Sequence, residues 1–188
     1  MLNFFRLAEN LNINPLAHAV TLNSNKFLEI PRSIKPGQPG YTHRQAKIIV
    51  LRMTPINGDI SKSEILDQAK NEIQASNTNE WGMFPEAWPH IYMMMAALRG
   101  TQIGRVAIAQ IPPGKEIEAH IDDGFSSEFY QRYHVIINGK PGNWAFCGGE
   151  KAEMLTGEAW WFDCNKEHAF KNESDEPRTY LNLDIRNR

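Results

Sequence analysis

The sequence predicts a mainly β protein, a sandwich or jelly roll that follows an N-terminal α/β part. From Gly104 onward, short runs rich in Val, Ile, Tyr, Trp and Phe are separated by turn sequences such as Pro-Pro-Gly and Asn-Gly-Lys-Pro-Gly, a pattern typical of such folds. Polar and apolar residues also alternate within these runs, which is the period of a strand. Strands are therefore expected near 104–111, 115–122, 132–138, 143–147, 151–154, 158–163, 168–172 and 178–186.

The first hundred residues predict mixed structure. They contain a Pro/Gly-rich loop at 31–40, a strand at 47–53, and helical patterns near 63–75 and 86–98. The chain has 188 residues, of which 41% are hydrophobic, and no Gly-Ser linker interrupts it. We therefore expect a single domain over 1–188, in which 1–103 supply accessory helices and strands and 104–186 form the β core.

Composition argues against several classes of partner. The 20 basic and 22 acidic residues give a net charge of -2, and no long run of either sign predicts nucleic-acid binding. No apolar stretch approaches the roughly 20 residues that span a bilayer. The N-terminus lacks a secretion signal, so the expected location is the cytoplasm. The two cysteines, Cys147 and Cys164, have no zinc-finger spacing and are expected to be free, buried thiols.

The alternation divides several strands into a polar and an apolar face. An apolar face must be covered, and the N-terminal helices can cover it. Solvated strand faces favour Lys, Glu and Thr, whereas these polar faces concentrate metal and carboxylate partners. The polar faces comprise Glu116, Glu118, His120 and Asp122 on one strand, Arg132 and His134 on another, and Arg178, Tyr180, Asn182, Asp184 and Arg186 on the last.

A metal site is predicted on these faces. His120 and Asp122 lie side by side on one strand, and His168 is the candidate third ligand. Three ligands on one side leave three octahedral positions open, as in iron(II) oxygenases. Arg178 follows His168 by ten residues at the next strand start, where a hairpin would bring the two together. Because the guanidinium fork suits a carboxylate, Arg178 indicates a dicarboxylate co-substrate.

Residues 104–185 resemble the aspartyl/asparaginyl β-hydroxylase family of 2-oxoglutarate dioxygenases, which also includes hydroxylases of free amino acids such as proline. The matching pieces are Ile-Pro-Pro-Gly at 111–114, His120, Arg-Tyr-His at 132–134, Trp-Phe-Asp at 161–163 leading to His168, Asn172, and Arg178 followed by Leu-Asn-Leu-Asp at 181–184.

The resemblance implies a double-stranded β-helix, a cupin-like jelly roll, with iron(II) on His120 and His168. It implies 2-oxoglutarate on the metal, its far carboxylate on Arg178, and Arg132 and His134 helping to hold it. It also implies an enzyme that uses molecular oxygen to hydroxylate a C–H bond of a small-molecule or peptidyl amino acid, releasing succinate and CO2.

The chain departs from the family pattern at two places. It keeps Asp122 where some members lack the carboxylate ligand. It also has Ala109, beside Gln110, where some members have a serine. A serine at this place would contact the co-substrate at the edge of its site.

Three alternatives stay open at this point. The first is a non-catalytic cupin-like protein that binds a metal or a small ligand through the same three residues and has no need of Arg178. The second is an interaction domain whose polar strand faces meet water and bind no metal. The third is a metal-dependent isomerase or an extradiol-type dioxygenase, which would bind iron without consuming 2-oxoglutarate.

Overall fold

A computed structural model describes residues 2–29, 41–53, 75–122, 127 and 129–187. The predicted loop at 31–40 lies outside the described residues. The predicted helix near 63–75 also lies outside them, apart from its last residue, the buried Ala75.

Two antiparallel sheets form the body of the protein. The larger has eight strands in the order β1-β10-β7-β12-β5-β3-β2, with β4 paired to β3, and the smaller has the order β6-β11-β8-β9. The strands of the large sheet are β1 (Phe4–Ala8), β2 (Leu28–Glu29), β3 (Lys47–Met53), β4 (Ser76–Asn77), β5 (Gln102–Ile111), β7 (Gln131–Asn138), β10 (Ala159–Phe162) and β12 (Arg178–Arg186). Those of the small sheet are β6 (Glu116–His120), β8 (Asn143–Cys147), β9 (Glu150–Glu153) and β11 (His168–Asn172).

Two helices cover the outer face of the large sheet. Helix α1 (Asn14–Leu22) and helix α2 (Trp88–Ala97) each have proline in the first turn, where its missing N–H costs no helical hydrogen bond. They pack Leu16, Val20, Ile91 and Met94 against the apolar faces of β5, β7 and β12. The predicted covering of that face by N-terminal helices is therefore confirmed.

A second core lies between the two sheets. Ile111, Ile136 and Tyr180 of the large sheet pack there against Ile117 and Phe170 of the small sheet, together with neighbouring apolar side chains. The polar face of β12 points into this same space and not into water, since its polar residues Arg178, Asn182 and Asp184 are buried. The polar face of β12, predicted to be either functional or wet, is thus interior, whereas Glu118 on the polar face of β6 is 31% exposed.

The strands predicted after residue 104 are all present, most within two residues of the expected bounds. The first hundred residues do more than cover the sheet, because β1 to β4 are strands of it. Strand β3 pairs with β5, and β1 pairs with β10 at the edge. Both cysteines are free and buried, as expected. Within the described residues, no helix has the length and apolar character needed to cross a membrane.

Candidate metal centre and co-substrate site

The candidate site lies in a cavity of about 70 Å³ between the two sheets. Alternate residues of β5, β7 and β12 line one side, while Ile117, His168 and Phe170 of the small sheet line the other.

His120, Asp122 and His168 lie close together, as the sequence predicts, and His168 also lines this cavity. Their ligand atoms all lie within 4.8 Å of one another. The two histidines are directly opposed on the neighbouring strands β6 and β11. Asp122 follows the end of β6, where its backbone N–H donates to the carbonyl of Cys164. Nε2 of His120 is 3.5 Å from Oδ1 of Asp122, and Nε2 of His168 is 3.9 Å from Oδ2.

Both imidazoles present an unprotonated Nε2. Nδ1 of His120 lies 2.7 Å from the carbonyl oxygen of Glu118, and Nδ1 of His168 lies 2.9 Å from that of Lys166. Because a carbonyl only accepts, Nδ1 carries the proton and Nε2 keeps its lone pair. Burial lowers the pKa of His120 and lowers that of His168 to about 4, so both rings are neutral at pH 7.

These three side chains fit a divalent metal ion. Nε2 of His120 is buried and has no hydrogen-bond partner among the described residues, which is costly unless another ligand satisfies it. Ligand atoms about 2.1 Å from a shared octahedral ion are roughly 3 Å apart, so separations that now reach up to 4.8 Å need to shrink by up to about 2 Å. Two imidazoles and one carboxylate on one side form the facial triad of non-haem iron(II) sites.

Arg132 links the metal triad to a buried carboxylate on β12. Its Nε and Nη2 donate to Oδ1 and Oδ2 of Asp184 at 2.9 and 3.3 Å, and its Nη1 donates to Oδ2 of Asp122. A guanidinium carries five N–H groups, so each terminal nitrogen of Arg132 retains one further N–H for a ligand.

His134 lies deeper in the cavity wall. Its ring lies 4.2 Å from that of Tyr180 and 4.9 Å from that of Phe162, measured between centroids. Burial holds its pKa well below the usual value, so the ring is neutral. Its Nδ1 has no hydrogen-bond partner within the described ranges, which leaves this nitrogen free for a bound polar ligand.

Arg178 is a completely buried cation, with 0% of its surface exposed. Nη1 donates to the carbonyl of Trp144 at 2.8 Å, Nη2 contacts the sulfur of Met154, and Nε has no partner in the described part of the chain. Burial lowers its pKa to about 10. None of the carboxylates that the structure describes forms an ion pair with this guanidinium.

The expected hairpin between His168 and Arg178 is wrong. Strand β11 pairs with β6 and β8, whereas β12 pairs with β5 and β7, so the two residues belong to different sheets. The aromatic ring of Phe170 connects them: its centroid lies 5.9 Å from that of His168 and 5.0 Å from the guanidinium carbon of Arg178. Phe170 and Tyr180, but not Arg178 itself, line the cavity.

Two further cavity residues were not predicted from the sequence. Arg105 stands on the same face of β5 as Ala107 and Ala109, so strand alternation could have found it. Its side chain is 41% exposed, which places it at the open side. His43 precedes the predicted strands and packs on His120 at 4.6 Å between ring centroids. No pattern around His43 signals that role.

The second departure from the family pattern is visible in the cavity wall. Ala109 lines the cavity, whereas Gln110 lies on the other face of β5 and donates to Thr179 at 3.3 Å. Gln110 therefore does not replace the missing serine hydroxyl.

Comparisons with known proteins agree with this architecture. The sequence model of the family described as aspartyl/asparaginyl beta-hydroxylase matches residues 65–188. A prolyl-4-hydroxylase of Pseudomonas putida superimposes with a TM-score of 0.55 at 13% identity, covering 99% of this chain and 93% of that one. None of the curated proteins compared matches the chain.

Two further solved structures have a TM-score of 0.38. One is a predicted oxalate decarboxylase of Thermotoga maritima, at 15% identity over 60% of this chain and 77% of that one. The other is a cupin_2 domain of an XRE family transcriptional regulator from Enterobacter cloacae, at 19% identity over 45% of this chain and 82% of that one.

The fold is a jelly-roll β-sandwich with a potential two-histidine, one-carboxylate metal site between its sheets. The family match covers well over half of the sequence, and the chain belongs to the aspartyl/asparaginyl β-hydroxylase family.

Proposed function

We propose that the protein is an iron(II)- and 2-oxoglutarate-dependent dioxygenase that hydroxylates a C–H bond of a free or peptidyl amino acid. One oxygen atom of O2 enters the new hydroxyl group and the other enters succinate, which forms from 2-oxoglutarate with loss of CO2. Iron(II) and 2-oxoglutarate, when bound, supply the activation of oxygen.

The burial of the Arg178 guanidinium without a carboxylate partner among the described residues is the observation that carries this proposal. A buried cation without a carboxylate partner among the described residues is expensive to keep, unless a ligand brings the missing anion. A dicarboxylate co-substrate provides that anion at one end and metal ligands at the other. A cupin-like protein that binds only a metal gives no reason for Arg178.

The remaining residues have separate tasks in this proposal. His120 and His168 donate neutral nitrogens and Asp122 donates an anionic oxygen to the metal. Arg132 uses its remaining N–H groups on the carboxylate of the co-substrate nearest the metal, beside His134. Phe162 and Phe170 exclude water from the same space.

The charges around the cavity favour a substrate that carries a carboxylate. Among the described residues, Arg105, Arg132 and Arg178 contribute three positive charges, and Asp122 and Asp184 contribute two negative ones. The charges of a divalent metal ion and of a 2-oxoglutarate dianion cancel each other, so the net charge of the loaded site is one positive charge. Arg105 lies at the open side, where the carboxylate of an amino acid would arrive.

The test is anaerobic addition of iron(II) and 2-oxoglutarate to the purified protein, followed by visible absorption of the chelate. Wild type should form the weak charge-transfer band, and Arg178→Ala should lose it or need far more 2-oxoglutarate. Lys140→Ala is the control, because Lys140 pairs on the surface with Glu176 at 3.1 Å, outside the cavity lining, and should leave the band unchanged.

The absence of a band in metal-loaded wild type would overturn the proposal in favour of a cupin-like binder. If the band forms, amino acids and peptides are then screened for succinate release. Acidic and neutral amino acids are compared first, because the Arg105 end of the cavity favours a substrate carboxylate.

A further inference from the structure

Asp184 is a buried carboxylate that the metal triad does not include. It lies on β12 with 1% of its surface exposed. Nε and Nη2 of Arg132 donate to its two oxygens, and Nε of Arg105 approaches it at 3.5 Å. Burial by itself would raise the pKa of Asp184, but the two arginines hold it below its usual value. The side chain is therefore ionised at neutral pH.

Arg132 transmits the position of Asp184 to the metal triad. The edge formed by Nε and Nη2 is occupied by Asp184, which fixes the plane of the guanidinium. The planar guanidinium is rigid, so fixing that edge also fixes the direction of Nη1. Nη1 is the atom that donates to Oδ2 of Asp122.

Asp122 depends on this contact for its orientation. It lies beyond the end of β6, so no strand pairing holds its side chain, and its contacts with the two histidines exceed hydrogen-bond length. Within the described residues, Arg132 is the side chain that donates to its carboxylate. With Oδ2 held by Arg132, Oδ1 is directed toward Nε2 of His120, which is the side where a metal ion would bind.

We propose that Asp184 is a positioning residue for the metal centre: through Arg132 it orients the carboxylate of Asp122 so that one oxygen is presented to the metal. The inference rests on the metal site of the proposed function but not on its co-substrate. In this inference Arg132 holds the metal ligand Asp122 in place, in addition to its proposed contact with 2-oxoglutarate. Partners of this kind behind a metal ligand are typically worth 10- to 100-fold in metal affinity.

A purely structural role for Asp184 makes a different prediction. In that case Asp184 only neutralises Arg132 and Arg105, and its loss lowers the stability of the fold without changing how the folded protein binds metal. Metal affinity without 2-oxoglutarate separates the two roles, because it involves neither turnover nor the co-substrate.

The experiment measures cobalt(II) affinity of the folded apoprotein, by competition with a fluorescent chelator and by the visible cobalt absorption. Asp184→Asn keeps the size of the side chain but removes the charge that holds the guanidinium, and it should bind cobalt(II) about 10- to 100-fold more weakly. Glu158→Gln is the matched control. Glu158 is another buried carboxylate paired with an arginine, Arg6 at 2.8 Å, but it lies outside the cavity lining and should leave cobalt affinity unchanged.

Two further variants keep the proposal testable if Asp184→Asn does not fold. Arg132→Lys retains the positive charge, but a single ammonium does not reproduce the planar fork that spans Asp184 and Asp122, so the same loss of cobalt affinity is expected. In an Asp122→Ala background, Arg132→Lys should have no further effect, because the carboxylate that it positions is gone.

Cobalt affinity within twofold of wild type in folded Asp184→Asn or Arg132→Lys would overturn the inference. An equal loss from Arg132→Lys in the Asp122→Ala background would also overturn it, because the effect would then not pass through Asp122. A wild type that binds cobalt(II) but forms no 2-oxoglutarate chelate contradicts the proposed function alone. A wild type that binds no cobalt(II) contradicts both.

Discussion

Arg132 and Arg178 are both buried, but replacing each by methionine should change the stability of the apoprotein by very different amounts. Arg132 has two carboxylate partners, whereas Arg178 has none among the described residues. Burial lowers the pKa of Arg178 from its usual value to about 10. At about 1.4 kcal/mol per pKa unit, this disfavours the charged form in the folded protein by about 3 kcal/mol. Because the folded-state pKa is the lower one, the cost is present at neutral pH and recedes only above about pH 10.

Replacement of Arg178 by methionine removes that cost and keeps most of the volume. It also removes the charged hydrogen bond to the carbonyl of Trp144, worth about 1.5–3 kcal/mol. The two effects largely cancel, so the free energy of unfolding of the apoprotein should change by no more than about 1.5 kcal/mol. Arg132→Met instead leaves Asp184 buried without its main partner and should cost about 3–5 kcal/mol.

The assay is urea unfolding of both variants and wild type in the presence of a chelator, followed by titration of metal-loaded protein with 2-oxoglutarate. Arg178→Met should weaken 2-oxoglutarate binding by at least about 30-fold, because the far carboxylate loses its buried partner. A loss of 3 kcal/mol or more in the Arg178→Met apoprotein would refute the reasoning, since it would mean that the guanidinium is a paired structural cation. Unchanged 2-oxoglutarate affinity would refute the assignment of the co-substrate.

Three further predictions follow from the same geometry. Asp122→Ala should bind iron(II) or cobalt(II) at least about tenfold more weakly than wild type in anaerobic titrations, because the anionic ligand is lost; equal affinity would remove Asp122 from the ligand set. Burial lowers the pKa of His43 to about 3 and that of His168 to about 4. As the pH drops from about 6.5 toward 4, the unfolded chain therefore binds protons at these rings that the folded chain does not, and each ring should lower apoprotein stability by up to about 1.4 kcal/mol per pH unit. Urea unfolding at several pH values measures this slope. His43→Gln should reduce the slope, and His18→Gln, at an exposed site, is the control that should retain it. Stability that does not change from pH 7 to 5 would contradict the conclusion that the buried rings are neutral. Ala109→Ser should lower apoprotein stability by about 1 kcal/mol and tighten 2-oxoglutarate binding about fivefold in calorimetric titrations, because the added hydroxyl gains a hydrogen-bond partner only when the ligand is bound. Higher apoprotein stability without tighter 2-oxoglutarate binding would contradict this prediction.

Local pattern in the sequence was sufficient for the strands after residue 104 and for bringing His120 and Asp122 together as candidate ligands. Side chains alternate strictly along a strand, so the positions of Arg132, His134 and Asp184 relative to their apolar neighbours follow from parity alone. His120 and Asp122 are close because they are two residues apart on such a face. The prediction that His168 joins them is consistent with the structure, because β11 and β6 are neighbours in one sheet.

Contacts between segments that are distant in the sequence could not be predicted from the alternation of side chains along a strand. The sequence indicates that Arg178 starts a strand after His168, but pairing is decided by which sheet each strand joins, and β11 and β12 join different ones. The contribution of β1 to the large sheet was missed because five edge residues carry too weak a pattern. His43 was missed because a short turn outside any periodic segment reaches the site only through tertiary packing.

The sequence by itself determined the strand pattern after residue 104, the division of those strands into polar and apolar faces, and the candidate ligands, because these depend on the fixed geometry of neighbouring residues along one chain. Tertiary structure alone decided that Arg178 is buried without a carboxylate partner in the described residues, and that Arg132 joins Asp184 to Asp122. Desolvation and ion pairing depend on what surrounds a charge in space, and alternation along a strand carries no information about the side chains of the opposite sheet.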